Sequence, residues 1–271
     1  MLILMKLNGS RKLMKTYYYI FCKDSILLER CDDGSYTIPL QETPPVEVKP
    51  WTVVMNIAPE DGYEVKAYQI DSPVTDNEKY EMCPLRQSYY KLPLEMYLKA
   101  GKCAELIYWH NNTKYCGVCG GPMKFHTDIS KRCEQCGKEV WPQLATAIIV
   151  LIRRGDDEVL LARGRNFKSD FYGLIAGFVE TGETLEQAVR REVMEETGLR
   201  IKNIRYFGSQ PWPYPCGLMV GFNAEYESGE LHLQREELKK AAWFHRDHLP
   251  NLPEKLSIAR KLIDNWLNET I

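Results

Sequence analysis

The four cysteines of KYCGVCGGPM and KRCEQCGKEV constrain this chain more than any other feature. They read Cys116-x-x-Cys119, thirteen intervening residues, then Cys133-x-x-Cys136. A glycine follows each pair, so the backbone can turn tightly and aim both thiolates at one point. Two such knuckles supply four sulfurs for one tetrahedral Zn²⁺, with no coordination position left open. A closed site is structural, and it folds a segment too short to bury its own core. Two disulfides or a redox Cys-x-x-Cys are the competing readings; paired motifs at this spacing favour zinc. The total of nine cysteines is odd, which argues against a disulfide framework. Cys22, Cys31, Cys83, Cys103 and Cys216 read as small buried or free thiols.

Around this segment the chain reads as α/β. Strand-like runs occupy KTYYYIFCK (15–23), SILLER (25–30), WTVVMNIA (51–58) and YEVKAYQI (63–70), separated by turn signals. PLEMYLKAGKCAELIYWH (93–110) reads as one interrupted helix. From Leu144 a second α/β region begins, with strands in LATAIIVLIRR, EVLLAR, GLIAGFV, IRYFGSQ and LMVGFNAEY. A helix is expected from near Thr184, and an amphipathic one over 252–267. The expected division is 1–112, a β-rich and helical scaffold; 113–141, the zinc segment; and 142–271, the catalytic domain.

The net charge is −2, from 35 Lys+Arg against 37 Asp+Glu. That balance does not point to nucleic acid or membrane. The zinc segment itself, 114–140, carries five basic and three acidic residues, weak support for a nucleic-acid role. No apolar run approaches the roughly 18 residues of a membrane span. In MLILMKLNGSRKLMK the charges follow the apolar run and no cleavage site is clear, so a signal peptide is not expected and a cytoplasmic location is.

Residues 177–199 read GFVETGETLEQAVRREVMEETGL. At about 100° per residue, Glu192, Glu195 and Glu196 share one arc of a helix and continue the stripe of Leu185, Ala188 and Val189. Three inward carboxylates repel one another unless a cation neutralises them. A hard, oxygen-ligated Mg²⁺ or Mn²⁺ is the expected ion. Arg191 can pair with Glu195 or reach back to Glu183, and Gly198 is placed to end the helix. The stretch resembles the Nudix box at every fixed position: Gly177, Glu183, Arg191, Glu192, Val193, Glu195, Glu196, Gly198 and Leu199. The resemblance implies an α/β/α sandwich that hydrolyses a nucleoside diphosphate linked to another group, with two or three catalytic metal ions. The sequence does not separate ligand from general base between Glu195 and Glu196. Arg163 and Arg165 either touch phosphate or face solvent at a strand end.

SQPWPYP (209–215) adds a second constraint. Its prolines exclude helix and central strand. Downstream of the box it suits a stiff loop whose Trp212 and Tyr214 offer flat surfaces to a ring; a rigid turn with a core tryptophan is the alternative. With the box and the four-cysteine segment it resembles the NADH pyrophosphatases, whose motif reads SQPWPFPxS. Tyr214 stands for phenylalanine, and Gly217 stands where the motif has serine.

That resemblance implies hydrolysis of NADH or NAD⁺ to nicotinamide mononucleotide and AMP. Removal of an NAD cap from RNA 5′ ends cuts the same bond and is the alternative. A nucleotide-sensing protein with a Nudix fold is another, disfavoured by the intact Glu192, Glu195 and Glu196 set. By matching position, the resemblance gives Trp141 and Phe178 as an adenine sandwich and Ala176 as a backbone contact. Gln210, Pro211, Trp212, Pro213, Tyr214, Pro215, Cys216 and Gly217 would line the substrate pocket. Glu237 would add a metal ligand, with neighbouring Glu236 competing for that register. Arg86 and Ala259 would approach substrate. The family forms homodimers, and its N-terminal domain is a degenerate relative of the catalytic fold.

Overall fold

The structure, a computed structural model, describes residues 15–165 and 170–269. The N-terminal run read above for a signal peptide lies outside the described residues, apart from Lys15. Two compact units meet in sequence after Pro142.

The first unit runs β1 (Thr16–Cys22), β2 (Ser25–Arg30), β3 (Tyr36–Thr37), β4 (Leu40–Gln41), β5 (Met55–Glu60), β6 (Tyr63–Gln69) and β7 (Tyr80–Pro84), then α1 (Leu94–Asn112). All seven residues of β1 are buried, as an aromatic and β-branched run in mid-sheet should be. Seven strands form one sheet, ordered β3-β2-β1-β6-β5, with β4 on β1 and β7 on β2. The expected interruption of α1 is not there: Gly101 is buried in mid-helix and the helix runs through it. Likewise, β5 begins only at Met55, after the exposed Trp51, Val53 and Val54. The same unit ends in a small three-stranded sheet, β8 (Met123–Thr127), β9 (Ser130–Cys133) and β10 (Glu139–Val140), ordered β10-β9-β8.

The second unit comprises β11 (Ala145–Arg154), β12 (Glu158–Gly164), β13 (Ile175–Phe178), α2 (Leu185–Thr197), β14 (Arg200–Trp212), β15 (Gly217–Ser228), β16 (Leu238–His245) and α3 (Ile258–Asn268). Its sheet is ordered β14-β15-β11-β12-β16, with β13 on β11. β11 is apolar on both faces because both are covered. Ile148, Val150 and Ile152 pack with Ala188, Val189 and Val193 of α2. The alternate residues Ile149 and Leu151 pack with Ile258, Leu262, Ile263 and Trp266 of α3. This is the α/β/α sandwich. Each such buried aliphatic side chain contributes about 1.5–3 kcal/mol. The last helix starts later than its amphipathic pattern suggests, because Ser257 caps it, accepting from the Arg260 N–H at 3.3 Å.

The two units share one topology. In each, a hairpin (β1-β2, β11-β12) is flanked by a strand parallel to its first member (β6, β15). That strand carries an antiparallel partner (β5, β14), and the hairpin's second member carries another (β7, β16). A further strand joins the first member (β4, β13). Two things differ: β3, paired with β2, has no counterpart strand among the described residues of the second unit, and residues 42–54 hold no helix where the second unit carries α2. The first unit is therefore the same fold without its acidic helix.

SQPWPYP is less of a loop than the stiff loop expected. Ser209–Trp212 finish β14, and the chain turns over Pro213–Cys216 into β15. The prolines are tolerated because β14 is the edge strand, where one row of backbone groups needs no ladder partner.

Candidate metal and substrate site

The zinc segment folds as two knuckles. Gly120 and Gly137 adopt φ of +73° and +74°, a conformation that costs glycine nothing. They return N–H groups to the Cys116 and Cys133 carbonyls at 2.9 and 3.1 Å. The four sulfurs all lie within 4.8 Å of one another, with Cys116–Cys136 at 3.7 Å and Cys119–Cys133 at 3.5 Å. A Zn–S bond of about 2.3 Å places tetrahedral sulfurs about 3.8 Å apart, so the set fits zinc. Backbone N–H groups lower the Cys133 and Cys116 thiols, while hydrogen bonds with Cys136 and Cys133 raise Cys119, as expected of four sulfurs crowded together without a cation. The segment's own core is only Cys116, Met123 and Cys133, with Val140 against them. All nine cysteines are unpaired. Purified protein is expected to carry about one zinc per chain. Cys133→Ser should release it and lower the melting temperature sharply. Elemental analysis without zinc, or a disulfide in the intact mass, would overturn this.

Helix α2 is built as its sequence dictates. Thr184 accepts from the Gln187 N–H at 3.2 Å, while Gln187 Oε1 accepts from the Thr184 N–H at 2.8 Å, a capping box. Gly198 closes the helix at φ +72°. Arg191 then ties the preceding loop to the helix. Its Nε and Nη2 donate to both oxygens of Glu183, at 2.6 and 3.0 Å. Nη1 donates to Glu192 at 2.9 Å and Glu195 at 3.0 Å, and Nη2 also donates to the Phe178 carbonyl at 2.9 Å. The hydrogen bonds from Arg191, and a lesser one from the Glu180 N–H, hold the Glu183 carboxyl below its usual range. Arg191 thus makes both pairings that its sequence position left open.

The three box carboxylates do not all face inward. Glu192 is 9% exposed and Glu196 4%, but the Glu195 side chain is half exposed. Glu195 lies about 100° around the helix from Glu196, on the rim of the buried stripe. Burial raises the Glu192 carboxyl. Glu196 is pushed up to about 8, by burial first and then by Glu237, Glu192 and Glu195. Among the described residues its carboxylate has no hydrogen bond or ion pair.

Glu237 arrives by a route the sequence hid. His232 and Gln234 donate N–H bonds to the Thr197 and Glu196 carbonyls, at 2.8 and 3.0 Å, zipping this segment onto the end of α2. Glu196, Glu236 and Glu237 line one cavity of about 450 Å³, together with Arg165 and Ala176. Glu237, not Glu236, acts on the Glu192 and Glu196 carboxyls. A cavity where the buried Glu196 carboxylate, without an ion pair among the described residues, meets other acidic groups fits a hard divalent ion.

The sheet register relates the remaining residues. Phe178 pairs with Ala147, Ala147 with Met219, and Met219 with Gln210. Phe178 and Gln210 therefore share one row of the sheet, three strand spacings or about 14 Å apart. Phe178 is 66% exposed. Gln210 is buried: its Nε2 donates to the Leu256 carbonyl at 2.7 Å, and its Oε1 has no partner among the described residues. Trp212 and Tyr214 are half-buried and meet edge to face at 5.2 Å. Pro213 is buried; Pro211 and Pro215 are exposed; Cys216 is half-buried and accepts from the Ala145 N–H at 2.8 Å.

At Gly217 an added Cβ would lie 3.0 Å from the Trp212 carbonyl oxygen. A serine there would press on Trp212 rather than simply restore a hydroxyl. Ala259 is packed in the α3 core. Arg163 pairs with Asp170 at 2.5 Å, whereas Arg165 lines the acidic cavity. In the first unit, Arg86 is exposed and Trp141 is 53% exposed.

Comparison with known proteins agrees with this architecture. Residues 143–266 match the family model of the NUDIX domain. Residues 15–109 match the NADH pyrophosphatase-like rudimentary NUDIX domain, and 111–140 the NADH pyrophosphatase zinc ribbon domain. A protein of Pseudomonas aeruginosa named NAD-capped RNA hydrolase NudC is 42% identical over 207 residues, covering 76% of this chain and 74% of that one. Its namesake in Escherichia coli is 44% identical over 193 residues, covering 71% and 74%. The one in Salmonella paratyphi C is 43% identical over the same span. The chain belongs to the NADH pyrophosphatase family of Nudix hydrolases.

Proposed function

We propose that the chain hydrolyses the pyrophosphate bond of NADH and NAD⁺, giving nicotinamide mononucleotide, reduced or oxidised, and AMP. The observation that carries this reading is the shared sheet row of Phe178 and Gln210, beside the acidic cavity. It puts an exposed ring and the start of the SQPWPYP hairpin at one end of a single sheet. Glu192, Glu196 and Glu237 would hold Mg²⁺ or Mn²⁺, with Glu195 at the rim. Bound there, such ions screen the pyrophosphate charge and acidify an attacking water.

The chain's own groups do the rest. Arg191, held by Glu183, fixes the Glu192 and Glu195 carboxylates. Glu195 Oε1, which Arg191 leaves free, can take a proton from water. Arg165 can meet a phosphate oxygen in the cavity. Ala176 lines that cavity, Phe178 offers its ring to adenine, and Trp141 presents a second exposed ring. The residues Gln210 to Gly217 line the dinucleotide pocket. Ala259 is supported only as a wall behind the sheet, and Arg86 only by its exposure.

The domain division is 1–112, 113–141 and 142–271, supported by the two-unit boundary and the matched ranges. The protein acts as a homodimer, a reading consistent with exposed Leu94 and Leu98 one turn apart on α1. It works in the cytoplasm; among the described residues no helix is long and apolar enough to cross a membrane. A second substrate, the NAD cap of RNA, is favoured by the names of the relatives and requires the same bond to be cut.

Product analysis with NADH, NAD⁺, ADP-ribose and NAD-capped RNA, each with Mg²⁺ and Mn²⁺, tests the reading. Trp212→Ala is expected to weaken NADH hydrolysis much more than that of ADP-ribose, which lacks the nicotinamide ring. Equal loss on both, with a stability loss of about 3–5 kcal/mol, would make Trp212 a core residue only.

A further inference from the structure

Strand β14 is thirteen residues long, lies at the sheet edge, and reads RIKNIRYFGSQPW. It carries Arg200, Lys202 and Arg205 and no acidic residue. All three cations are exposed. None makes an ion pair with a described residue. Lys202 lies opposite Glu225 in the ladder, but the Glu225 oxygens are taken by Arg153 at 3.1 Å and Asn203 at 2.8 Å. Beside Arg205, Tyr206 is 63% exposed, its ring edge-on to Phe222 at 6.1 Å. In a chain of net charge −2, this is a local run of exposed positive charge with no hydrogen-bonded acidic partner. It leads without a break into the SQPWPYP hairpin.

We propose that β14 is a track for the phosphodiester backbone of RNA attached to the dinucleotide in the hairpin pocket. The inference rests on the pyrophosphatase reading above and adds a contact surface for the RNA body of a capped substrate. Lys202 and Arg205 pair with Glu225 and Asn223, which share one face of β15, and cations along one face of an extended edge match a single-stranded polyanion. The spacing sets a length. RNA joins the dinucleotide through its adenosine ribose, so the count starts at Phe178, about 14 Å across the sheet from Gln210. At about 3.3 Å per residue along β14, Arg205 lies about 22 Å from Phe178 and Lys202 about 30 Å. At about 3.4 Å per stacked nucleotide, RNA reaches Arg205 at about its sixth nucleotide and Lys202 at about its ninth. Edge-strand cations also discourage pairing with other chains, and the experiment separates the two roles.

The test uses the full chain and the double variant Lys202→Gln/Arg205→Gln, with Lys202→Glu/Arg205→Glu as the stronger form. Substrates are NADH and NAD-capped RNAs of four and twenty nucleotides. For the Gln variant, kcat/KM on the twenty-nucleotide substrate should fall at least about fivefold at low salt. NADH and the four-nucleotide substrate should stay within twofold. The slope of log kcat/KM against log salt on the long substrate should become shallower by about 1.4, two phosphate contacts at about 0.7 each. The Glu variant should exaggerate each change.

Equal effects on long and short substrates, an unchanged salt slope, or a change only in self-association would overturn the track. If the unaltered protein cleaves both NADH and capped RNA, that failure leaves the pyrophosphatase reading standing. If it cleaves NADH but not capped RNA of either length, the track falls while NADH hydrolysis stands. If it cleaves neither, both fall.

Discussion

Glu196→Gln is expected to lower turnover by about three orders of magnitude and, in chelator, to make the protein more stable. Both effects have one cause. Glu196 is almost wholly buried, faces Glu192 and Glu237, and has no cationic partner among the described residues. Its folded-state pKa is raised from 4.5 to about 8. A raised pKa means the native state prefers the protonated acid. That stability is fully present below about pH 4.5 and is lost as pH rises through about 8. Glutamine keeps the shape and removes the charge, so at pH 8 without metal the variant should be more stable by at least about 1 kcal/mol. Adding Mg²⁺ or Mn²⁺ should raise the melting temperature of the unaltered protein, since an ion that binds only the native state stabilises it. The variant should gain less. Thermal melts in chelator and in metal, beside single-turnover rates, check each part. Near-normal turnover at saturating metal would make the buried carboxylate a structural accident.

Much of this site was legible in the sequence because its signals are local. Thr184 and Gln187 form a capping box within four residues, and Gly198 sits where only a left-handed residue ends the turn. The knuckles were equally local, each closed by its own glycine. The fold of the second unit followed from runs such as Ala145–Arg154, apolar on both faces because a helix covers each.

What escaped depends on distant partners. Glu195 shares the helical arc of Glu192 by spacing, but only the packed sheet decides where the buried stripe ends. Glu237 reaches the cavity because His232 and Gln234 bond to the end of α2, a pairing no periodicity announces. Strand β16, LKKAAWFH, lacks alternation, so its sequence does not announce a strand. SQPWPYP looked like a loop because proline statistics describe central strands, and its place at the sheet edge is a property of the whole topology. The shared plan of the two units shows in strand order and not in local motifs, since the first unit lacks the acidic box.

Gly177→Ala is expected to cost about 10²- to 10³-fold in turnover with little loss of stability. Gly177 pairs with Ile148 in β13, and the Glu192 carboxylate lies directly over it. A Cβ built on Gly177 would stand 2.0 Å from Glu192 Cδ and Oε1, far inside contact distance. No other position of the box shows why glycine is required so directly: its Cα is the floor on which a carboxylate rests. The clash falls on the far end of a flexible side chain, so the backbone need not move and the fold should survive. The carboxylate, however, must leave its place beside Arg191 Nη1, and a displacement of about 1 Å at a reacting centre is enough for a hundredfold loss. Metal affinity should fall with turnover, because the same oxygens would hold the ion. Gly208→Ala is the control, since a Cβ there meets nothing within 4 Å, and its turnover should be unchanged. If Gly177→Ala retains both turnover and metal affinity, Glu192 is not a ligand, and the site must be built from Glu195, Glu196 and Glu237 alone.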